Sequence, residues 1–212
     1  ITGVQSSSVG GDYNSFGTQA RGATADYQVN GLNQLVDDRA ALFDMALYDR
    51  IEVLRGPAGL FKGAGSAGAT INLVRKAATA APHFRGALTG GSWSTYRAEA
   101  DVNGALNASG SVRGRLVAAG EQRGTNLRNT DNRKAFGYGT LAVDLGPDST
   151  LSVGGAVQEA KTDYFFGLPA FANGTLLDVP RSTSFSADWA RGDLAASTCL
   201  ASSSIACRPG AS

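Results

Sequence analysis

The side chains that could carry chemistry in this chain are few, and their spacing argues against catalysis. His83 is the single histidine of 212 residues. That removes His-based nucleophile activation and His-rich metal sites. Asp37 and Asp38 are adjacent, and neighbouring loop carboxylates stay solvated rather than working as an acid–base couple. Serines are plentiful but have no companion base. Gly63, Gly65 and Gly68 match the G-x-G-x-x-G spacing of a dinucleotide site. Such a site needs a helix opening after the glycines and an acid about 20 residues further on. Here Ala-Thr-Ile-Asn-Leu-Val follows, which reads as strand, and the next acid is Glu99. Lys62 sits among glycines without the Walker spacing. Tight turns with positive φ account for the same glycines. The expectation is no catalytic residue, no metal ligands and no intrinsic cofactor.

Charge and composition narrow the partners. The 19 basic and 18 acidic residues nearly cancel, which leaves no electrostatic footprint for nucleic acid. No apolar run approaches the ~20 residues of a membrane-spanning helix. Charged residues make up 17% and glycines number 28; with many Arg, Asn and Thr this is a β-rich composition. Cys199 and Cys207 could close a small loop in an oxidising compartment; two unpaired thiols are the other reading. Ile1 in place of an initiator Met reads as an excerpt or a mature fragment.

The elements that would position these residues change character near Ala77–Pro82, an aperiodic AATAAP stretch that reads as a linker. Before it, polar and Gly-rich stretches surround short apolar runs at Tyr27–Val29, Arg50–Leu54 and Thr70–Val74, with one helical candidate over Ala40–Tyr48. After it, segments alternate with period two. In Thr95–Asn103, Tyr96, Ala98, Ala100 and Val102 interleave with Arg97, Glu99, Asp101 and Asn103. Ser111–Glu121, Ala135–Leu145 and Leu151–Lys161 repeat the pattern, and Phe84–Gly91 and Ser184–Ala190 are weaker strands. The connections Ser92–Ser94, Leu106–Gly110 and Gly146–Ser149 are short and Gly124–Arg133 and Asp163–Thr183 long, so that short and long alternate after the first pair. Outer-membrane meanders alternate short turns with long loops in this way. A turn centred on Asn107 would set Asp101 opposite Arg113 and Glu99 opposite Arg115, a charged ladder suited to a polar barrel interior or to water. The aromatic cluster Tyr164-Phe165-Phe166, with Leu168 and Phe171, reads as an interfacial girdle, a ligand-facing surface or a small core.

The stretch Tyr48-Asp-Arg-Ile-Glu-Val-Leu-Arg-Gly-Pro-Ala-Gly-Leu-Phe-Lys-Gly-Ala-Gly-Ser-Ala-Gly-Ala-Thr-Ile-Asn-Leu-Val-Arg-Lys76 closely resembles the plug signature of TonB-dependent ferric-siderophore receptors, with the hydroxamate and pyoverdine receptors nearest. Upstream, Ala20-Arg21-Gly22 and Asn30-Gly31-Leu32 resemble that family's "RG" and "DG" landmarks. Downstream, GSWSTYRAEADVNGAL and VRGRLVAA look like its first barrel strands. Ala23, Asn30, Ala67 and Ala69 depart from its commoner residues, and residues 192–212 match none of its strands.

The resemblance implies a mixed α+β plug followed by antiparallel β, part of a transmembrane barrel of about 22 strands. Residues 1–76 would be the later plug, 77–82 the crossing, 83–191 the first six or so strands, and 192–212 an unmatched tail. It implies an outer-membrane receptor that takes up a ferric siderophore as transported ligand. The partners would be the inner-membrane TonB energy-coupling complex, whose contact box this chain lacks, and outer-membrane lipid. Iron arrives already wrapped, so no protein ligands are needed. The family's contact loops correspond to Thr24–Tyr27 and Gln34–Phe43, which makes Thr24, Asp26, Tyr27, Arg39 and Phe43 ligand candidates, Tyr27 for stacking and Arg39 for an anionic chelate. A surface charge, solvated or paired with Asp37 or Asp38, is the other reading of Arg39. Arg21, Arg50, Glu52 and Arg55 are candidates for plug–barrel bridging or gating. Six strands with open edges are not expected to transport alone. A surface adhesin or structural β-protein is the alternative function.

Overall fold

A computed structural model of the chain describes residues 4–8, 16–20, 23–33, 43–56, 68–124, 131–163, 171–175, 177–180 and 191–205. The first half forms a sheet from β1 (Val4–Ser8), β2 (Phe16–Ala20), β3 (Ala23–Val29), β4 (Leu32–Asn33), β5 (Tyr48–Arg55) and β6 (Ala69–Arg75). Its order is β1-β2-β3-β6-β5, with β4 on β3. The β3–β6 pair is parallel, and a parallel pair needs a long crossover between its strands. The intervening residues supply it and place β5 on the far side of β6.

The link between β3 and β4 is the Asn30–Gly31 turn, with φ of 51° and 80°. Positive φ at both central residues is the type I′ geometry that suits the twist of a two-residue hairpin. Asn30 also works sideways. Its Oδ1 accepts from the Arg75 backbone N–H at 2.9 Å, and the Gly31 N–H donates to Asn72 Oδ1 at 2.9 Å. The departure from the usual acid at position 30 therefore sits in a turn where Asn is well suited.

Of the helix expected over Ala40–Tyr48, residues 40–42 lie outside the described residues, and residues 43–48 form no α-helix. Among the described residues the only helical piece is the 3-10 turn Met45–Leu47, and Tyr48 already enters β5. Asp44 caps the turn by accepting from the Ala46 N–H at 2.9 Å, while Ala46 and Leu47 go into the core. Among the described residues of the first half, the α+β character expected there is represented by β-strands and this one turn. The apolar residues of this run recur at every second position, which is not a helical stripe.

The second sheet is an antiparallel meander of β7 (His83–Gly91), β8 (Thr95–Ala105), β9 (Val112–Arg123), β10 (Asn132–Gly146), β11 (Ser149–Asp163) and β12 (Arg191–Ile205), in chain order. It does not close on itself, and β7 and β12 are its outer strands. Ser184–Ala190 and most of the aromatic cluster lie outside the described residues, and within the long connection Phe171 is exposed. The sixth strand falls in the segment that matched no family strand: Arg191 to Ile205 pairs with β11 over its whole length. Its run of Ala, Ser and Thr carries almost no apolar–polar alternation, so periodicity could not find it.

The β8–β9 register also differs from the expected one. Asn103 faces Arg115 and Ala105 faces Arg113. The connecting loop is wider than a turn centred on Asn107. Asn107 Oδ1 accepts from the Val112 N–H at 3.1 Å, Leu106 N donates to Val112 O at 2.8 Å, and Gly110 takes a φ of 72°. Neither expected pair forms: Arg115 meets Asp101 across a diagonal, Arg113 pairs with Asp144, and Glu99 with Arg97.

Side chains of this sheet sort into two faces. Arg97, Glu99, Asp101 and Asn103 share one face with Glu121, Val117, Lys134, Phe136 and Tyr138 of neighbouring strands, and this face meets the first sheet. Leu47, Ile71 and Leu73 from the first half and Val117, Phe136 and Tyr138 from the second belong to one buried cluster. The other face exposes Phe84, Leu88, Val102, Leu116, Leu141 and Val153. Polar inside and apolar outside inverts the pattern of a soluble sheet and matches that of a membrane barrel wall.

Candidate functional site

The two sheets are joined by charged and polar groups that line the inward face of the meander. At the end near the long connections stands Asp44, whose side chain is 1% exposed. It accepts from Arg97 of β8 through two nitrogens at 2.6 and 3.0 Å, and from Lys134 of β10 at 2.7 Å. Its own N–H donates to Gln158 Oε1 of β11 at 2.8 Å. Arg97 is held in turn by Glu99 on its own strand and Glu121 of β9. Burial alone would raise the Asp44 pKa, but the hydrogen bonds from Arg97, Lys134 and the Ala46 N–H outweigh it and hold the carboxyl well below the usual carboxylate range.

Further along the wall, Lys76 reaches Asp101 at 2.8 Å, and Arg115 grips the same carboxylate at 2.8 and 2.9 Å. The Tyr138 hydroxyl donates to Lys76 O at 2.9 Å. Residues 77–82, which link β6 to β7, are then laid on β8 and β9. Asn103 accepts from the Thr79 N–H at 2.9 Å and donates to Thr79 Oγ1 and Ala81 O, and Arg115 donates to Ala77 O. Removing one partner of such a buried charge pair typically costs about 3–5 kcal/mol, because the other is left uncompensated.

The residues singled out as ligand candidates are spread through the first half. Thr24, Asp26 and Tyr27 lie on β3. Tyr27 packs against the core, and Asp26 is half-buried in register with Thr70 of β6. Phe43 sets its ring edge-on to Phe136 of β10 with centroids 6.5 Å apart. Arg39 lies outside the described residues, as does Arg21. Arg50 and Glu52 pair with each other at 2.8 Å on exposed β5, with Asp49 beside Arg50 and Asn72 donating to Glu52 at 2.9 Å. Hydrogen bonds from Asn72 and then Arg50 lower the Glu52 pKa. Their described contacts stay inside the first sheet rather than bridging to the second, and Arg55 ends the same strand, exposed. Among the described residues the two sheets are bridged by Asp44, Lys76, Arg97, Asp101, Arg115 and Lys134, which sequence reasoning did not single out as a site. The available signal was the row of charges on the side of each strand opposite the apolar one.

Of the glycine fingerprint, residues 63–67 lie outside the described residues, and Gly68 leads directly into β6. A strand, not a helix, follows it.

A small mixed sheet docked by polar groups on the inward face of an antiparallel meander is the arrangement of a plug against a barrel wall. Residues 1–70 match the family model of the TonB-dependent Receptor Plug Domain, and the chain belongs to the TonB-dependent receptors of the outer membrane. These are transport receptors rather than enzymes. Within them the similarity is to ferric-siderophore receptors. The ferric-pyoverdine M114 receptor PbuA of Pseudomonas sp. (strain M114) is 38% identical over 193 residues, which is 88% of this chain and 23% of that receptor. The ferripyoverdine receptor of Pseudomonas aeruginosa is 44% identical over 154 residues, 70% of this chain and 19% of that protein. The crystal structure of the outer-membrane ferripyoverdine receptor of Pseudomonas aeruginosa, bound to ferripyoverdine, superposes with a TM-score of 0.82 at 37% identity. It covers 95% of this chain and 28% of that one. The chain thus spans about a quarter of the length of these relatives.

Proposed function

We propose that this chain is the plug-and-first-strands section of a receptor that takes up a ferric siderophore of the pyoverdine class. In this reading residues 1–76 form the later plug, 77–82 the crossing, and the wall starts at His83. The wall's apolar face meets outer-membrane lipid, and energy comes from the inner-membrane TonB complex. The ferric chelate is cargo, and no intrinsic cofactor is required. Thr24, Asp26, Tyr27, Arg39 and Phe43 are the proposed contacts for the chelate, with Arg21 and Arg55 as further plug–barrel groups. The observation that carries the reading is the polar seam from Asp44 to Asn103, which joins a plug-type sheet to a wall whose opposite face is apolar.

The test is iron uptake from ferripyoverdine by a strain lacking its own pyoverdine receptors and supplied with the full-length gene. Uptake that requires both the gene and a working TonB complex is the expected result. A full-length protein that reaches the outer membrane yet neither binds nor imports ferripyoverdine would overturn the reading. Replacing Arg39 by Ala should weaken binding of the chelate, and an unchanged dissociation constant would remove Arg39 from the site.

A further inference from the structure

The outward face of the meander is almost free of charge until one end. From Phe84 on β7 to Leu151 on β11, its positions are Gly, Ala or larger apolar residues, with Glu159 as the one charge among the described residues. At the end that carries the two long connections, the register sets Tyr96, Gln122, Arg133, Lys161 and Asp193 side by side across β8 to β12. Trp93 and Tyr96 are 64% and 62% exposed there. Exposed Trp and Tyr mark the edge of a bilayer's apolar core, and the long loops of a barrel lie on its outer side. The row therefore stands at the headgroup level of the outer leaflet.

The wall alone does not account for two features of this row. Arg133 and Lys161 are direct cross-strand partners, and like charges directly opposite each other destabilise a sheet. Lys161 is offset by Glu159 at 3.3 Å, with Asp193 in register on its far side. Arg133 has no ion pair among the described residues. Both acids lie on the β11–β12 side, so the excess positive charge sits at Arg133, beside the amide of Gln122. Just below it, an open groove of about 750 Å³ runs over Gly120 and Ala135, between Leu88 and Tyr96 on one side and Glu159 and Lys161 on the other. A Cβ added to Gly120 would meet nothing within 4 Å, so no neighbouring side chain fills the floor.

We infer that this corner of the wall binds a phosphate-bearing lipid of the outer leaflet, its phosphate held by Arg133, Lys161 and Gln122 and the start of an acyl chain lying on Gly120 and Ala135. A phosphate between the two cations converts their repulsion into two charge-assisted contacts. The apolar groove leading from the cations towards the bilayer core favours a lipid over a free anion. The site rests on the wall's apolar face meeting lipid and is independent of which chelate is carried.

The test uses the full-length receptor in detergent, with lipid A bearing its phosphates as the probe and native mass spectrometry as the readout. The wild type should retain the lipid. Arg133→Gln should weaken retention about fivefold, and Arg133→Gln with Lys161→Gln about thirtyfold. Gly120→Leu keeps every charge but fills the groove, and it should weaken retention as well. Ferripyoverdine binding should stay at the wild-type level in all three. Equal retention by the wild type and the double variant would overturn the inference, as would equal retention of the same lipid stripped of its phosphates. Inorganic phosphate that binds as tightly as the lipid, with Gly120→Leu changing nothing, would make this a free-anion site and defeat the lipid assignment. If Leu116→Arg costs the bilayer-folded receptor nothing, the lipid-facing reading itself falls, and the site with it.

Discussion

Two charge clusters in this molecule use the same residue types to opposite effect. Around Asp44, a carboxylate from the plug meets Arg97 and Lys134 from the wall, and its side chain is almost fully buried. Around Glu52, a carboxylate meets Arg50 and Asn72 of its own sheet, with the ionic side chains about half exposed. The first cluster joins two parts of the molecule around a carboxylate that is buried. The second decorates one sheet and is screened. Ionic chemistry alone therefore does not locate a plug–wall contact; the contact is defined by which strand face each charge occupies.

The strongest way to break this contrast is Asp44→Asn in the full-length receptor. The expected loss is about 3–5 kcal/mol, read from denaturant unfolding in detergent. The pH dependence has a definite sign. The folded-state pKa of Asp44 is depressed, so its contribution is complete above the unfolded value of 3.8 and fades as pH falls towards the folded value. The gap between wild type and variant should hold from about pH 8 to about pH 5 and close only in stronger acid. A gap that closes near neutrality would assign the effect to another group.

The next largest effect belongs to the wall's other face. Leu116→Arg should cost about 2–4 kcal/mol when the receptor is folded in a bilayer, since the side chain would face lipid. A neutral outcome would mean that this face meets water. Replacing Asn30 by Ala should cost about 1 kcal/mol, because the Arg75 N–H loses its acceptor and the left-handed turn loses a suitable residue. Thermal unfolding of the same receptor measures it. Glu52→Gln is expected to leave the unfolding midpoint unchanged. Iron uptake that drops at unchanged stability would return Glu52 to a gating role and erase the contrast with Asp44.

Much of the architecture could be read from the residues. Period-two alternation found β8 to β11 within a few residues, because along each strand apolar side chains recur at every second position on the outward face. The apolar runs at Tyr27–Val29, Arg50–Leu54 and Thr70–Val74 all fall in strands, and the Tyr48–Lys76 motif marked the family. What escaped has physical reasons. Arg191–Ile205 is built of small residues with little contrast between its faces. The β8–β9 register differs because the bonds tying Leu106 and Asn107 to Val112 centre the loop past Asn107. The helix over Ala40–Tyr48 was suggested by apolar density, whereas Asp44 in the middle of that run is committed to the wall. Its partners lie 53 and 114 residues away along the chain, a separation that no local pattern records. Arg50 and Glu52 attracted notice for standing in a strong motif, yet they satisfy each other.

The stitched crossing has a consequence for how far a plug of this design can travel. Asn103 and Arg115 hold Ala77, Thr79 and Ala81 against β8 and β9 before the wall itself begins at His83. In the proposed receptor, a plug that moved would accordingly be moored at Ala77 and not at His83. The stretch between them, roughly 20 Å of chain if fully drawn out, is withheld as slack until those fastenings give way, so the first part of any excursion must come from loosening the plug itself.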